Sequence, residues 1–389
     1  MKDHQTPTYQ NKFTLGRNIM SEAYNVTEIW IEKSNVANTK IVEKEFNSAQ
    51  LGADEVLLKI DSFGFSANNV TYSVFGDKMG YWGFFPADDS WGIVPMWGFA
   101  TVQESKSTDV KVGEKVYGYL PMASHLVITA GKISPTHFFD ISEKRKSISP
   151  VYDNYVRCAT DPGYQVAREA WQLNYRPLFM TSFVLDDYVG EGLVASEQPV
   201  KQVILTSASS KTAYGAAHLL MKHKAERGLD YQVIGLTSAS NKAFTQDLDC
   251  YEQVLSYDEI AELGQDKTSW VLDFAGNKSL LLNLQKQFSD NLDKLVLIGS
   301  TDVDAQQDKP DGHLDSEFFF APSQVKKRSG EWGHAGFAER YAKAWQSFAV
   351  HMNDKVSVAE YSGAKAIEAL YHTGLENKLN NLEINVLTF

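Results

Sequence analysis

Val203–Met221 reads VILTSASSKTAYGAAHLLM, and shortly after it Val233–Lys242 reads VIGLTSASNK. The apolar run Val203–Leu205 breaks into small polar residues, then resumes at helical spacing with Ala213, Ala217, Leu220 and Met221. That is a strand, a tight turn and the start of a helix, a unit whose helix N-terminus offers free N–H groups and a positive dipole end to a phosphate. Ser207, Ser209, Ser210, Lys211 and Thr212 occupy the turn and are the candidate phosphate-binding residues. The second strand, Val233–Leu236, ends in Thr237–Ser238, with Lys242 just beyond. An acid at this strand end suits a ribose 2′-hydroxyl, whereas hydroxyls and a cation suit a 2′-phosphate. The reading is a nucleotide site that prefers NADPH.

Working outward, 389 residues are enough for two domains with real cores. With 37 basic and 49 acidic residues the net charge is −12, which argues against nucleic acid or an anionic membrane surface as the main partner. The opening MKDHQTPTYQNKF lacks an apolar core, and no run approaches the length of a membrane span. Cys158 and Cys250 are the only cysteines, so neither a disulfide framework nor a structural zinc cluster is expected. A soluble, cytoplasmic α/β protein acting on a small molecule fits these bounds.

After a polar lead-in over Met1–Glu22, short strands are predicted at Val26–Ile31, Ile41–Lys44 and Val56–Ile60, and the turn in VKVGEKVYGYL feeds another. Strands then alternate with helices: Val203–Leu205, Val233–Leu236, Gln253–Leu255, Val271–Phe274 and Leu295–Ile298, with helices over Asn241–Asp247 and Ser279–Phe288. Alternation of this kind implies a doubly wound parallel sheet. A β-rich domain over residues 20–177 therefore precedes a Rossmann domain over 178–322. Residues 323–389 return to the first domain, through a helix at Glu339–Met352 and a last strand at Ile384–Thr388. Thr301–Lys309 and the glycine-rich GEWGHAGF (Gly330–Phe337) read as loops.

Four landmarks recur in order: DEVLLKIDSFGFSANNVTY (Asp54–Tyr72), VKVGEKVYGY (Val110–Tyr119), SWVLDFAGNKSLL (Ser269–Leu281) and KLVLIGS (Lys294–Ser300). Together they resemble the zinc-free quinone-reductase branch of the medium-chain dehydrogenase/reductase superfamily, and SANNVTYSVFGDKMGYW with SASSKTA resembles a little-characterised bacterial subfamily of it. The resemblance implies a GroES-like first domain, a Rossmann second domain, a homodimer and an NADPH cofactor. It carries Gly276 and Gly299 over as cofactor-binding positions. It also makes Ser238, Lys242 and Tyr257 the pocket for the 2′-phosphate.

The departures matter. The usual AxxGxxG phosphate turn is here Ser207-x-x-Ser210-x-x-Ala213, without either glycine that normally lets the backbone approach a pyrophosphate. Either Ser210 and Lys211 replace bare amide contacts, or SASSKTA is only a well-capped helix start. Ser66 stands where the zinc enzymes place a cysteine, and Val94–Val102 holds no His-Glu pair, so no catalytic metal is expected.

On the substrate side, Asn68, Asn69 and Tyr72 fall where quinone reductases place an asparagine and a tyrosine near the nicotinamide. One extra residue before the tyrosine leaves both asparagines open. Asn69 and Tyr72 are the expected catalytic pair, stabilising an enolate or quinol oxygen. Asn68, Tyr81 and Trp82 are the expected substrate-binding residues; the same aromatics equally suit core packing. His125 reads as a satisfied structural histidine. The resulting expectation is a metal-free, NADPH-dependent reductase of a quinone or activated alkene. The alternative is a non-catalytic NADPH-binding sensor or scaffold on a reductase fold.

Overall fold

The computed structural model describes residues 22–145, 152–298, 313–380 and 382–389; Gly299 and the Thr301–Lys309 loop lie outside the described residues. The chain opens with an antiparallel hairpin, β1 (Ala23–Glu32) and β2 (Asn35–Asn47), flanked by the short β4 (Trp91–Gly92). β3 (Glu55–Phe65) then pairs on one side with β5 (Pro95–Ser105) and on the other with β7 (His125–Gly131). Between them run β6 (Lys115–Pro121), β9 (Asn154–Arg157) and β8 (His137–Asp140), so these six strands close on themselves as a barrel. Val56, Leu58, Phe63, Val94, Val116 and Tyr119 fill its core. A single short helix, α1 (Ala67–Val74), follows β3.

The 27-residue helix α2 (Glu169–Ala195) leads into the second body and runs through Pro177. The parallel strands β10 (Gln202–Leu205), β11 (Gln232–Thr237), β12 (Gln253–Ser256), β13 (Ser269–Asp273), β14 (Leu292–Leu297) and β15 (Glu317–Phe318) follow. They are connected by α3 (Lys211–His223), α4 (Lys242–Asp247) and α5 (Lys278–Phe288). Their spatial order is β12-β11-β10-β13-β14-β15, the dinucleotide-binding order, with β10 at the centre where the winding reverses. β10 is wholly buried because both faces of a parallel sheet carry helices.

The chain ends with α6 (Ala321–Met352), β16 (Ser357–Ser362), α7 (Ala364–Leu375) and β17 (Glu383–Thr388). β17 lies parallel to β16 and antiparallel to β3, extending the barrel sheet. GEWGHAGF, expected as a loop, belongs instead to α6, which bends where Gly333 takes a left-handed φ of 72°. A glycine admits that φ without strain, so two helical runs join there without a connecting loop.

Candidate functional site

The phosphate turn sits at the carboxyl end of β10. Ser207 takes a left-handed φ of 48°, a conformation usually left to glycine, and its N–H donates to the Tyr257 hydroxyl at 3.1 Å. Ser210 caps α3, its Oγ accepting the Ala213 N–H at 3.4 Å. The Ala208 N–H is taken by the Leu236 carbonyl and that of Ser210 by the Ser207 carbonyl. Among the described residues the amides of Ser209, Lys211 and Thr212 have no protein acceptor, the usual state of a helix N-terminus.

Lys211 adds a cation to these donors. It is partly buried, its Nζ 5.7 Å from the centre of the Tyr175 ring of α2, and no carboxylate pairs with it among the described residues. Burial alone pushes its ammonium down to about 8. A turn built from open amides and an uncompensated lysine matches a diphosphate or a phosphomonoester, so the donor set fits the phosphate end of NADPH.

The ends of β11 and β12 meet this turn. The Ser209 Oγ accepts from Thr237 Oγ1 and Asn241 Nδ2, each at 3.3 Å. The Ser238 hydroxyl lies 3.0 Å from that of Ser240 at the surface. Tyr257 is tied to Ser207, as above. Lys242 is not a free cation: its Nζ pairs with Glu259 Oε2 at 2.6 Å. Glu259 also accepts the Ser256 N–H, and the lysine and that amide hold its carboxyl down to about 2. The sequence reading missed Glu259, whose signal is the capping pair Ser256–Glu259.

Across the switch point, Thr206 and Asp273 join β10 to β13. The Thr206 hydroxyl donates to the buried Asp273 carboxylate, which also accepts the Gly276 N–H at 2.7 Å; Gly276 has a φ of 78°. Asp273, the acid of the VLDxxG strand, was not among the expected site residues, and Gly276 serves by shaping this turn.

The barrel side of the site rests on Gly64. A Cβ there would lie 2.6 Å from the Leu173 carbonyl, so only glycine lets β3 approach the backbone of α2 this closely. Asn174 Nδ2 donates to the Asn385 carbonyl at 2.8 Å, and Asn385 Nδ2 to the Phe65 carbonyl at 3.1 Å, stitching α2, β17 and β3 together. Gly64, Ser66, Asn68, Asn69 and Trp97 face Asn174, Pro177 and Leu178 across a narrow cleft. The same turn of α2 thus borders this cleft and, through Tyr175, Lys211.

The two asparagines separate here. Asn69 is buried and completes the cap of α1: its Oδ1 accepts the Ser66 N–H at 2.9 Å and its Nδ2 points to the Pro95 carbonyl and Met96 sulfur. Asn69 thus borders the same cleft with its amide engaged in bonds to the protein. Asn68 lines the cleft and donates to the Tyr72 hydroxyl at 2.6 Å. Burial raises the Tyr72 hydroxyl well above its usual range, although Trp97, Tyr119 and Asn68 oppose the shift. Tyr72 therefore keeps its proton at neutral pH.

Tyr81 stacks near Tyr72, ring centres 4.4 Å apart. Trp82 is placed otherwise than expected: it packs in the core where a Cβ on Gly76 or Gly92 would lie 2.2 or 2.4 Å from its ring. Packing between two glycines turns it away from the cleft. His125 is structural, its ring nitrogens bonded to Ser124 Oγ and Gln103 Oε1. A second concavity, along α5, β14 and β15, touches none of these residues.

The structure matches CurA from Vibrio vulnificus in complex with NADPH at a TM-score of 0.59 and 12% identity, covering 93% of this chain and 98% of that one. A mutant enoyl thioester reductase from Candida tropicalis matches at 0.53 and 12%, covering 94% and 100%. A putative NADPH:quinone reductase from Bacillus thuringiensis matches at 0.50 and 13%, covering 94% and 99%. The shared property is the fold, a GroES-like barrel with a Rossmann sheet, as the sequence resemblance implied. No curated protein matches the chain in sequence. Its sequence profile over residues 63–380 is that of a defined family, and the chain belongs to it: Protein of unknown function (DUF2855).

Proposed function

We propose that this chain is an NADPH-dependent reductase that passes hydride to a quinone or an activated alkene without a metal. The observation that carries the reading is Lys211, an uncompensated cation beside three open amides at the centre of a doubly wound sheet. When bound, NADPH supplies the hydride. Ser209, Ser210, Lys211 and Thr212 hold its diphosphate, and Gly276 shapes the neighbouring turn. Ser238, Lys242 and Tyr257 face the adenosine end, where Glu259 competes with a phosphate for the lysine. Support for the cofactor also comes from the NADPH in CurA, and support for the substrate class from the names of the two reductases that share the fold.

At the reacting end Asn68 orients Tyr72, which offers its retained proton to the substrate oxygen that gains charge. Tyr81 packs against the Tyr72 ring in the core behind it. Ser66 and the lack of a His-Glu pair in Val94–Val102 support chemistry without zinc. Exposed Phe318 and Phe320 at the edge of the Rossmann sheet support a homodimer.

One observation favours the second reading, a sensor or scaffold that binds NADPH without turnover. The cleft beside Asn68 holds about 10 Å³ of free space, the room of one water. Fluorescence titration with NADPH, followed by quinones, enones and enoyl thioesters monitored at the nicotinamide absorbance, separates the two. Turnover of any class supports the reductase; binding without turnover supports the sensor; no binding sinks both.

A further inference from the structure

We propose that His218, Cys250 and His351 form a binding site for one borderline-soft metal cation of the zinc(II) class, clipping α3, α6 and the connection between α4 and β12 together. Their ligand atoms lie within 4.8 Å of one another, the only three-residue cluster of such donors among the described residues. Cys250 Sγ is 3.6 Å from His351 Nε2. A tetrahedral zinc with ordinary Zn–S and Zn–N bonds spans an S···N edge of roughly 3.6 Å. The two imidazole rings stand 4.7 Å apart, centre to centre. Two imidazoles and a thiol select zinc, cobalt or copper over the oxygen-seeking magnesium and calcium.

The surroundings hold these donors in a state that a metal can use. The His218 ring faces the Ser347 hydroxyl at 3.4 Å, an uncharged partner that a metal can displace. Cys250 Sγ donates to a backbone carbonyl, so the metal-free site holds S–H. In that state the Leu248 carbonyl receives His351 Nε2 at 2.7 Å and Cys250 Sγ at 3.4 Å. Metal binding forms an S–metal bond and releases the thiol proton to solvent, while the His351 proton moves to Nδ1; nothing is oxidised. Two nearby cations have their own partners: Lys355 is paired with Asp249 at 2.6 Å, and Lys222 donates to Ser347 at 2.7 Å. The Leu248 carbonyl or a water would complete the coordination. His218 lies roughly 10 Å along α3 from Lys211. The site thus stands apart from the hydride cleft, and the metal-free reduction proposed above neither needs it nor is needed by it.

The test uses the full chain, stripped with chelator and titrated with Co²⁺ or Zn²⁺ alone. One equivalent should bind, with a thiolate-to-cobalt charge-transfer absorption, about one proton released per metal at neutral pH and a raised melting temperature. Cys250→Ser should abolish the absorption, His218→Gln should weaken binding roughly tenfold or more, and Cys158→Ser should change neither. If Cys250→Ser does not fold, His218→Gln and His351→Gln carry the same test. Lack of stoichiometric binding, or affinity unchanged in the histidine variants, overturns the proposal, as does a charge-transfer band that survives Cys250→Ser.

Discussion

Lys211 sets the pH response of the site. Its ammonium titrates at about 8 in the folded chain, against roughly 10.4 for a free lysine. Between those values the unfolded state binds more protons, so the apo protein gains stability as pH rises through that window. Phosphate binding runs the other way, because it favours the charged lysine. NADPH affinity should be flat near neutrality and fall above about pH 8, and Lys211→Met should remove that fall while weakening binding throughout. A Lys211→Met protein with the wild-type pH profile, measured by fluorescence titration, would exclude Lys211 from the phosphate site. The ion pair between Lys242 and Glu259 gives a second test. Glu259→Gln frees the lysine and should tighten NADPH by roughly tenfold while leaving NADH unchanged, the worth of a charge-assisted hydrogen bond. Equal effects on both cofactors would show that Lys242 does not read the 2′-phosphate. Behind the cleft residue Asn68, Tyr72→Phe should cut the reduction rate roughly a hundredfold without changing the NADPH dissociation constant.

At the scale of elements, α2 and α3 are locked by a buried acid. Asp186 receives both terminal nitrogens of Arg227, at 2.8 and 2.7 Å, and faces His223 Nδ1 at 2.8 Å. Burial works to raise the Asp186 carboxyl, but His223 and Arg227 outweigh it and hold it below its usual value. Its contribution to stability is therefore present above the ordinary carboxylate range and lost as pH falls through the lowered value. Asp186→Ala leaves Arg227 largely buried without its partner and should cost about 3–5 kcal/mol, read from urea denaturation. A loss below about 1 kcal/mol would mean that solvent reaches the pair. α3 carries the phosphate turn, so the same variant should also loosen NADPH binding.

At the scale of the molecule, β17 links the chain end to the barrel. Its Leu387 is fully buried against the barrel core, and its Asn385 bonds the Phe65 carbonyl beside the cleft. Leu387→Ala should cost about 2–5 kcal/mol and lower the melting temperature. Because β17 touches both β3 and α2 through Asn385, thermal unfolding followed by tryptophan emission and by far-ultraviolet dichroism should shift together. A shift confined to one probe would show that the two bodies unfold separately.

The sequence by itself determined the layout: apolar runs alternating with helical spacing specify a doubly wound sheet, because each strand buries two faces and each helix one. It likewise placed Ser207–Thr212 at the switch point, since a strand, turn and capped helix are local features. It was silent where residues far apart in the chain must meet. The burial of the Asn69 amide depends on Pro95 and Met96, the seat of Trp82 on Gly76 and Gly92, and the partner of Lys242 on Glu259. The bend of α6 looked like a loop because glycine and aromatic residues carry no local helical signal. The convergence of His218, Cys250 and His351 is the extreme case. Three single residues on separate elements form no spacing motif, and only the packing of α3 against α6 brings their ligand atoms within 4.8 Å of one another.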